Sequence, residues 1–337
     1  MSLRTTLDRL NIDPYLLAIV SMVGLASLLP ARGAAAVDLG HATTGVIGLL
    51  FFLYGARLSR EAVVRGLSDW RLHTTVLAST FVLFPLLGLG FRVLSPSLLS
   101  PQLYYGLLLL CTLPSTVQSS IAFTSIAGGN VPAAVCAASA SSLLGIVLTP
   151  LLVGLLMGAH GGFSLSAGEA IVLQLLVPFL AGQVARRWIG GFLEQHKVLT
   201  SLVDRGSILL IVYAAFSEGV VNGIWHQLDL RSLVLLAIAD AALLALVLAI
   251  TTFGSRWLGF SREDEITVVF CGSKKSLAAG IPMINVLFPA HAVGLVVLPL
   301  ILFHQIQLMV CATLARRYAA RKLARPAVPL GMAGGFR

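Results

Sequence analysis

Ten apolar runs of 16 to 27 residues follow one another along this chain with only short polar stretches between them. They cover residues 14–29, 39–56, 74–94, 102–127, 131–157, 167–185, 206–224, 232–253, 266–288 and 290–314. A hydrocarbon layer about 30 Å thick takes roughly 20 helical residues. Inside it every backbone N–H and C=O must find a partner within the protein, which leaves a bundle of helices as the solution for runs of this length. The expected fold is therefore an all-α polytopic membrane protein with ten transmembrane helices. A composition that is 57% hydrophobic and 11% charged agrees. The net charge of +9 could suggest nucleic acid, but the basic residues form short clusters between apolar runs with no aromatic-interleaved patch. The expected partner is the lipid bilayer, not nucleic acid.

The charges orient the bundle. With both termini cytoplasmic, the inner side carries Arg4, Arg9, Arg57, Arg60, Arg65, Arg71, Arg186, Arg187, Lys197, Arg205, Arg256, Arg262 and the basic tail from Arg316, while the outer side carries only Arg32, Arg92 and Arg231. That asymmetry is the positive-inside signature, and it assigns Arg57, Arg60 and Arg65 to topology. Arg4 and Arg9 ahead of residues 14–29 would also suit a signal peptide, but Asp8 and Asp13 dilute the basic region and the topology needs this span. Short loops without added domains point to a bacterial inner membrane. The tail, residues 316–337, is expected to attract anionic headgroups.

Ten spans divide near Gly158–Ser166 into residues 1–157 and 158–315, five spans each. An odd number inverts the second half relative to the first, as in many secondary transporters. Corresponding spans carry corresponding interruptions. The fourth is broken at Leu113-Pro114-Ser115-Thr116 and ends in Gly129-Asn130-Val131-Pro132; the ninth is broken at Gly272-Ser273 and ends in Asn285-Val286-Leu287-Phe288-Pro289.

The second interruption carries Lys274 and Lys275. A rise of 1.5 Å per residue from Glu265 puts Lys274 roughly 13 Å deep, near mid-membrane. An ammonium there costs about 2.5–3.5 kcal/mol on insertion scales, so the pair marks a site. Opposite it, Pro114, Ser115, Thr116, Gln118, Ser119 and Ser120 are too polar for a lipid-facing segment, and the proline frees carbonyls that need partners. Ser139, Ser141 and Ser142 on the next span could face them, although small hydroxyl residues also serve simply to let helices approach. Asp240, and Glu218 less directly, lie deep enough to act as counter-charges. The four cysteines show no paired spacing and read as packing residues. His304, within the tenth span, reads as a candidate proton carrier or a hydrogen-bonded packing residue. No Walker A loop appears, so direct ATP coupling is not expected.

Phe52-Leu53-Tyr54-Gly55, Thr80-Phe81-Val82-Leu83-Phe84-Pro85, Leu113 to Ser120, Gly129-Asn130-Val131 and Lys275-Ser276-Leu277-Ala278-Ala279-Gly280-Ile281-Pro282 together resemble the bile acid:sodium symporter superfamily, in the branch of the seventh member of the solute carrier 10 family and its bacterial homologues. The resemblance implies two inverted five-helix repeats, arranged as a panel domain (spans 1, 2, 6, 7) and a core domain (spans 3–5, 8–10), with broken spans 4 and 9 crossing. It further implies an ion site behind the crossing, with Thr80 and Ser139 as possible ligands beside Gly272, Ser273 and Ser276, and substrate in the cleft between domains. Sodium-coupled relatives carry a glutamate and a glutamine on span 9, where this chain has lysines. Loss of the acid removes a hard anionic ligand and the ammonium groups oppose a second cation, so sodium coupling is not expected.

The sequence reading is a non-enzymatic secondary transporter or facilitator of a small, anionic organic solute, working by alternating access. A lysine in this reading substitutes for the bound cation. The alternative is a membrane regulatory protein that keeps the fold and acts through partners at its cytoplasmic face. Ser–Lys adjacency gives poor nucleophile and base geometry, since helix neighbours point about 100° apart, so an intramembrane enzyme is not favoured.

Overall fold

A computed structural model describes residues 14–57, 69–157, 172–223 and 229–323, and among them the chain is helical, with no strand. In order, the helices are α1 (Pro14–Leu28), α2 (Ala34–Arg57), α3 (Trp70–Ala78), α4 (Phe84–Gly90), α5 (Pro101–Thr112), α6 (Gln118–Ala127), α7 (Val131–Met157), α8 (Val177–Gln195), α9 (Lys197–Val221), α10 (Leu230–Trp257), α11 (Arg262–Gly272), α12 (Leu277–Leu287) and α13 (Ala290–Leu323). Among the described residues, six stretches are long and apolar enough to cross a membrane: Ala34–Arg57, Trp70–Leu94, Val131–Met157, Lys197–Val221, Leu230–Trp257 and Ala290–Ala320. The protein is an integral membrane protein. Residues 158–171, which hold the expected boundary between halves, lie outside the described residues, as do Arg60, Arg65 and residues 324–337 of the tail. The first residues of that tail continue α13, which runs to Leu323, with Ala315 buried and the Tyr318 hydroxyl donating to Glu265 Oε1 at 3.1 Å.

Local chemistry explains the helix ends. Ser100 accepts from Leu103 N and Pro101 opens α5, where its missing N–H has no intrahelical partner to lose. Ser261 accepts from Asp264 N at 3.1 Å, and Glu263, Asp264 and Glu265 occupy the positive end of α11. Asp229 caps α10 by accepting from Ser232 N, and the Ser232 hydroxyl and amide together hold its carboxyl below the usual range.

Two wide π turns, Ser79–Leu83 and Val172–Leu176, each run into a proline two residues on, Pro85 and Pro178. Proline lacks the N–H that an α-helix needs and crowds the carbonyl four residues back, and a locally widened turn relieves both problems.

α2 and α8 cross where Gly55 meets the Phe179 carbonyl and Gly182 meets the Phe52 carbonyl, so closely that neither position has room for a Cβ. Small residues permit such backbone contact where hydrophobic burial offers no net gain between helices in lipid. α9 packs on α1 and α2, while α5, α6, α7 and α10–α13 pack among themselves. α9 also meets α12 and α13 along a core that includes Phe216, Leu243, Ile284 and Phe303.

Candidate functional site

The helical path is interrupted twice near the centre, between α5 and α6 and between α11 and α12. Four half-helix ends meet there. A helix that stops inside a membrane leaves its last four carbonyls without intrahelical partners, and each must be met by something else.

For α5 the partners can be named one by one. Leu109 O accepts from the Thr112 hydroxyl at 2.7 Å and Leu110 O from Leu113 N at 3.3 Å. Thr112 O accepts from the Thr149 hydroxyl of α7 at 2.8 Å, and Pro114 O from Ser276 N across the crossing at 2.9 Å. The remaining two, Cys111 O and Leu113 O, accept from Lys275 Nζ at 2.8 and 2.7 Å. The third bond of this amine goes to Thr80 O at 2.8 Å. Thr80 O is free because Phe84 N, its partner in a regular α-helix, donates instead to Ser79 O, and the next residue in a π pattern is Pro85. A lysine ammonium has three donors, and here all three are used on main-chain oxygens. Its Nζ also lies 4.1 Å from the centre of the Phe84 ring.

The other broken end is closed the same way. Cys271 O accepts from the Ser115 hydroxyl at 2.6 Å, and Gly272 O from the Ser79 hydroxyl at 2.8 Å. The Ser273 hydroxyl returns to Val269 O at 2.6 Å, and Ser276 Oγ caps α12 by accepting from Ala279 N at 3.2 Å. Thr116, Ser119 and Ser120 bond one another, Thr116 Oγ1 lying 2.7 Å from Ser119 Oγ and 3.3 Å from Ser120 Oγ. Gly145 of α7 makes room for Pro114, since a Cβ there would stand 2.6 Å from the proline Cβ.

Several expectations need correcting. Thr80 presents its carbonyl to Lys275 Nζ, and its hydroxyl donates to Val76 O at 2.8 Å. The α7 residue facing the break is Ser141, whose Oγ accepts from Ser115 N at 3.0 Å; Ser139 is half-buried one helical face away. Asp240 is fully buried, yet neither of its oxygens has a hydrogen-bond partner and no ion pair joins it to either lysine. Main-chain carbonyls at the negative end of α5 take the place of a counter-charge. Glu218 is exposed near the end of α9 and faces no lysine. Lys274 and Lys275 are not equivalent: Lys274 Nζ, equally buried, makes no hydrogen bond and rests 3.7 Å from the centre of the Phe123 ring.

Gln307 escaped the sequence reading. Fully buried on α13, it accepts from Lys275 N at 3.0 Å, donates to Lys275 O at 2.9 Å and lies 2.9 Å from His304 Nδ1. An amide in mid-span beside the histidine that drew attention was the available signal. Ser79, at the start of the π turn, was missed as well.

A cavity of about 320 Å³ opens between Ala56 and Arg57 of α2, Gly190, Leu193 and Glu194 of α8, Lys197 to Asp204 of α9, and Gln118 at the start of α6. Arg57 is held there by both oxygens of Asp204, one at 3.2 Å, and by the Thr200 carbonyl. It is thus part of the cleft wall as well as of the topological signal.

The profile of the SBF-like CPA transporter family matches residues 13–320, which includes both breaks. The chain belongs to that family. Among curated relatives of this transporter family, the uncharacterized protein PA2026 of Pseudomonas aeruginosa is 59% identical over 312 residues, covering 92% of this chain and 94% of that one. Putative symporter YfeH of Escherichia coli is 56% identical over 308 residues (91% and 93%), and sodium/bile acid cotransporter 7 of Rattus norvegicus is 30% identical over 338 residues (96% and 99%). The resemblance carried by the short motifs therefore holds across nearly the whole chain.

Proposed function

We propose that the protein is a sodium-independent secondary transporter or facilitator of a small, anionic organic solute, in which Lys275 is a tethered replacement for a bound cation. The observation that carries this reading is the set of three main-chain oxygens around Lys275 Nζ at 2.7–2.8 Å. Carbonyl oxygens of this kind are what a hard monovalent cation would otherwise gather. An ammonium fixed to the chain fills the position permanently, so sodium has neither a vacancy nor a favourable field.

The architecture proposed around this centre has ten spans in two inverted repeats, residues 1–157 and 158–315. A panel of α1, α2, α8 and α9 would move against a core built from the rest, with both termini cytoplasmic in a bacterial inner membrane. Support comes from the matching interruptions, the mutual packing of the four panel helices and the cleft that separates Arg57 and Lys197 from Gln118. The start of α6 faces that cleft, and a half-helix N-terminus at a membrane break favours a negatively charged group. Names of the relatives, a putative symporter and a sodium/bile acid cotransporter, support transport as the activity.

A thermal-shift screen of the purified protein against small organic anions, in sodium and in choline buffers, tests the proposal. One class of anion should raise the melting temperature equally in both. Stabilisation by sodium alone, or by an anion only when sodium is present, would overturn it.

A further inference from the structure

A second cavity, about 590 Å³, lies away from the cleft as a groove between α3–α4 and α10. Its walls are Val82, Leu83 and Leu86 on one side and Ile250, Gly254 and Leu258 on the other; its floor includes Ser79, Thr251 and Ser255. From Arg71 to Leu86 the groove follows sixteen residues of helix, fifteen steps of 1.5 Å or about 22 Å, more than the depth of one leaflet. Its mouth differs from its walls. There Arg71 is exposed, its Nη2 donates to Leu258 O at 2.8 Å, and its guanidinium stands 5.5 Å from the Phe260 ring centre. Trp70 and Trp257, both exposed, flank it where indole rings collect at a membrane–water interface.

We propose that this groove is a binding site for one anionic glycerophospholipid, its phosphate at Arg71 and one acyl chain along the groove between α4 and α10. The charge at the mouth selects the headgroup and the apolar walls hold the chain. A lateral opening of this kind, with a fixed cation at headgroup level and no charged side chain deeper among its lining residues, matches such a lipid in both halves. The floor gives the site a consequence. Ser79 donates to Gly272 O of the broken α11, and the π turn it begins presents Thr80 O to Lys275, so a chain lying on Ser79 braces the crossing from behind.

The test is native mass spectrometry of the full chain with palmitoyl-oleoyl phosphatidylglycerol or the phosphatidylcholine of the same chains as probe. Two variants separate head from tail: Arg71→Ala, and Gly254→Leu, whose side chain enters open space because nothing lies within 4 Å of a Cβ at Gly254. Wild type should retain one phosphatidylglycerol in preference to phosphatidylcholine. R71A should lose about fivefold of that preference, the ratio equivalent to ~1 kcal/mol per basic residue at a membrane surface. G254L should lose retention of both lipids while melting within a few degrees of wild type. Equal retention of the two lipids by wild type, undiminished retention in G254L, or a dimer whose interface fills the groove would each overturn the proposal.

Discussion

Replacing Lys275 by Ala removes one side chain and orphans three carbonyls, Thr80 O, Cys111 O and Leu113 O, all within a buried crossing. An unsatisfied buried polar group costs about 1–3 kcal/mol, so the loss approaches ~3–9 kcal/mol before water enters the space. If the amine stands in for a cation, that loss should be recoverable from solution. A small monovalent cation at a hundredfold excess over its Kd returns about 2.7 kcal/mol. The assay is thermal melting of purified protein in choline, lithium, sodium and potassium chloride at equal ionic strength. K275A should melt well below wild type in choline and recover part of the difference in one of the metal salts, while wild type should be indifferent to the salt. Lys275→Met keeps most of the volume without the charge, and should melt as low in choline as K275A. A Met variant as stable as wild type, or an Ala variant that no cation restores, would refute the idea that the carbonyls define a cation position.

The remaining predictions concern the same crossing. Lys274→Met should melt at or above the wild-type temperature, because Lys274 Nζ has no hydrogen bond to lose and its ring contact is worth only about 0.5–2 kcal/mol; a fall as large as that of K275A would contradict the asymmetry. Gly145→Ala sets a Cβ 2.6 Å from that of Pro114 and should destabilise by about 1–3 kcal/mol through overpacking, measured as a lower melting temperature. Gln307→Leu strips the partners from Lys275 N and Lys275 O and should cost about 2–6 kcal/mol, whereas Gln307→Glu, which keeps an acceptor for Lys275 N, should cost less. Equal melting of the two Gln307 variants would show that the clamp on the Lys275 backbone is not what holds it.

Both interruptions were legible because each breaks a physical rule: Pro114 removes a donor in mid-membrane, and two lysines stand where hydrocarbon is expected. What answers them was not. The ligands of Lys275 are main-chain oxygens, and a carbonyl has no letter in the sequence; Thr80 and Cys111 are chosen by where a helix widens or stops, not by their side chains. Pro85 does carry a trace of the π turn, but only the fold shows that the carbonyl it frees points at Lys275. Asp240 failed as a counter-charge because equal depth along two helices says nothing about which faces they turn to each other. Ser139 and Ser141 differ by two residues, about 200° of helix, and depth alone does not choose between them.

The most direct measurement is uptake. Vesicles containing the purified protein, diluted into a mixture of small organic acids with either sodium or choline as the external cation, can be filtered and their contents identified by mass spectrometry. The account predicts that at least one acid enters only when the protein is present, at the same rate in choline as in sodium, and that K275A abolishes this entry in choline, where no metal cation can take the amine's place. Uptake that needs a sodium gradient, or that persists undiminished without Lys275, would contradict it.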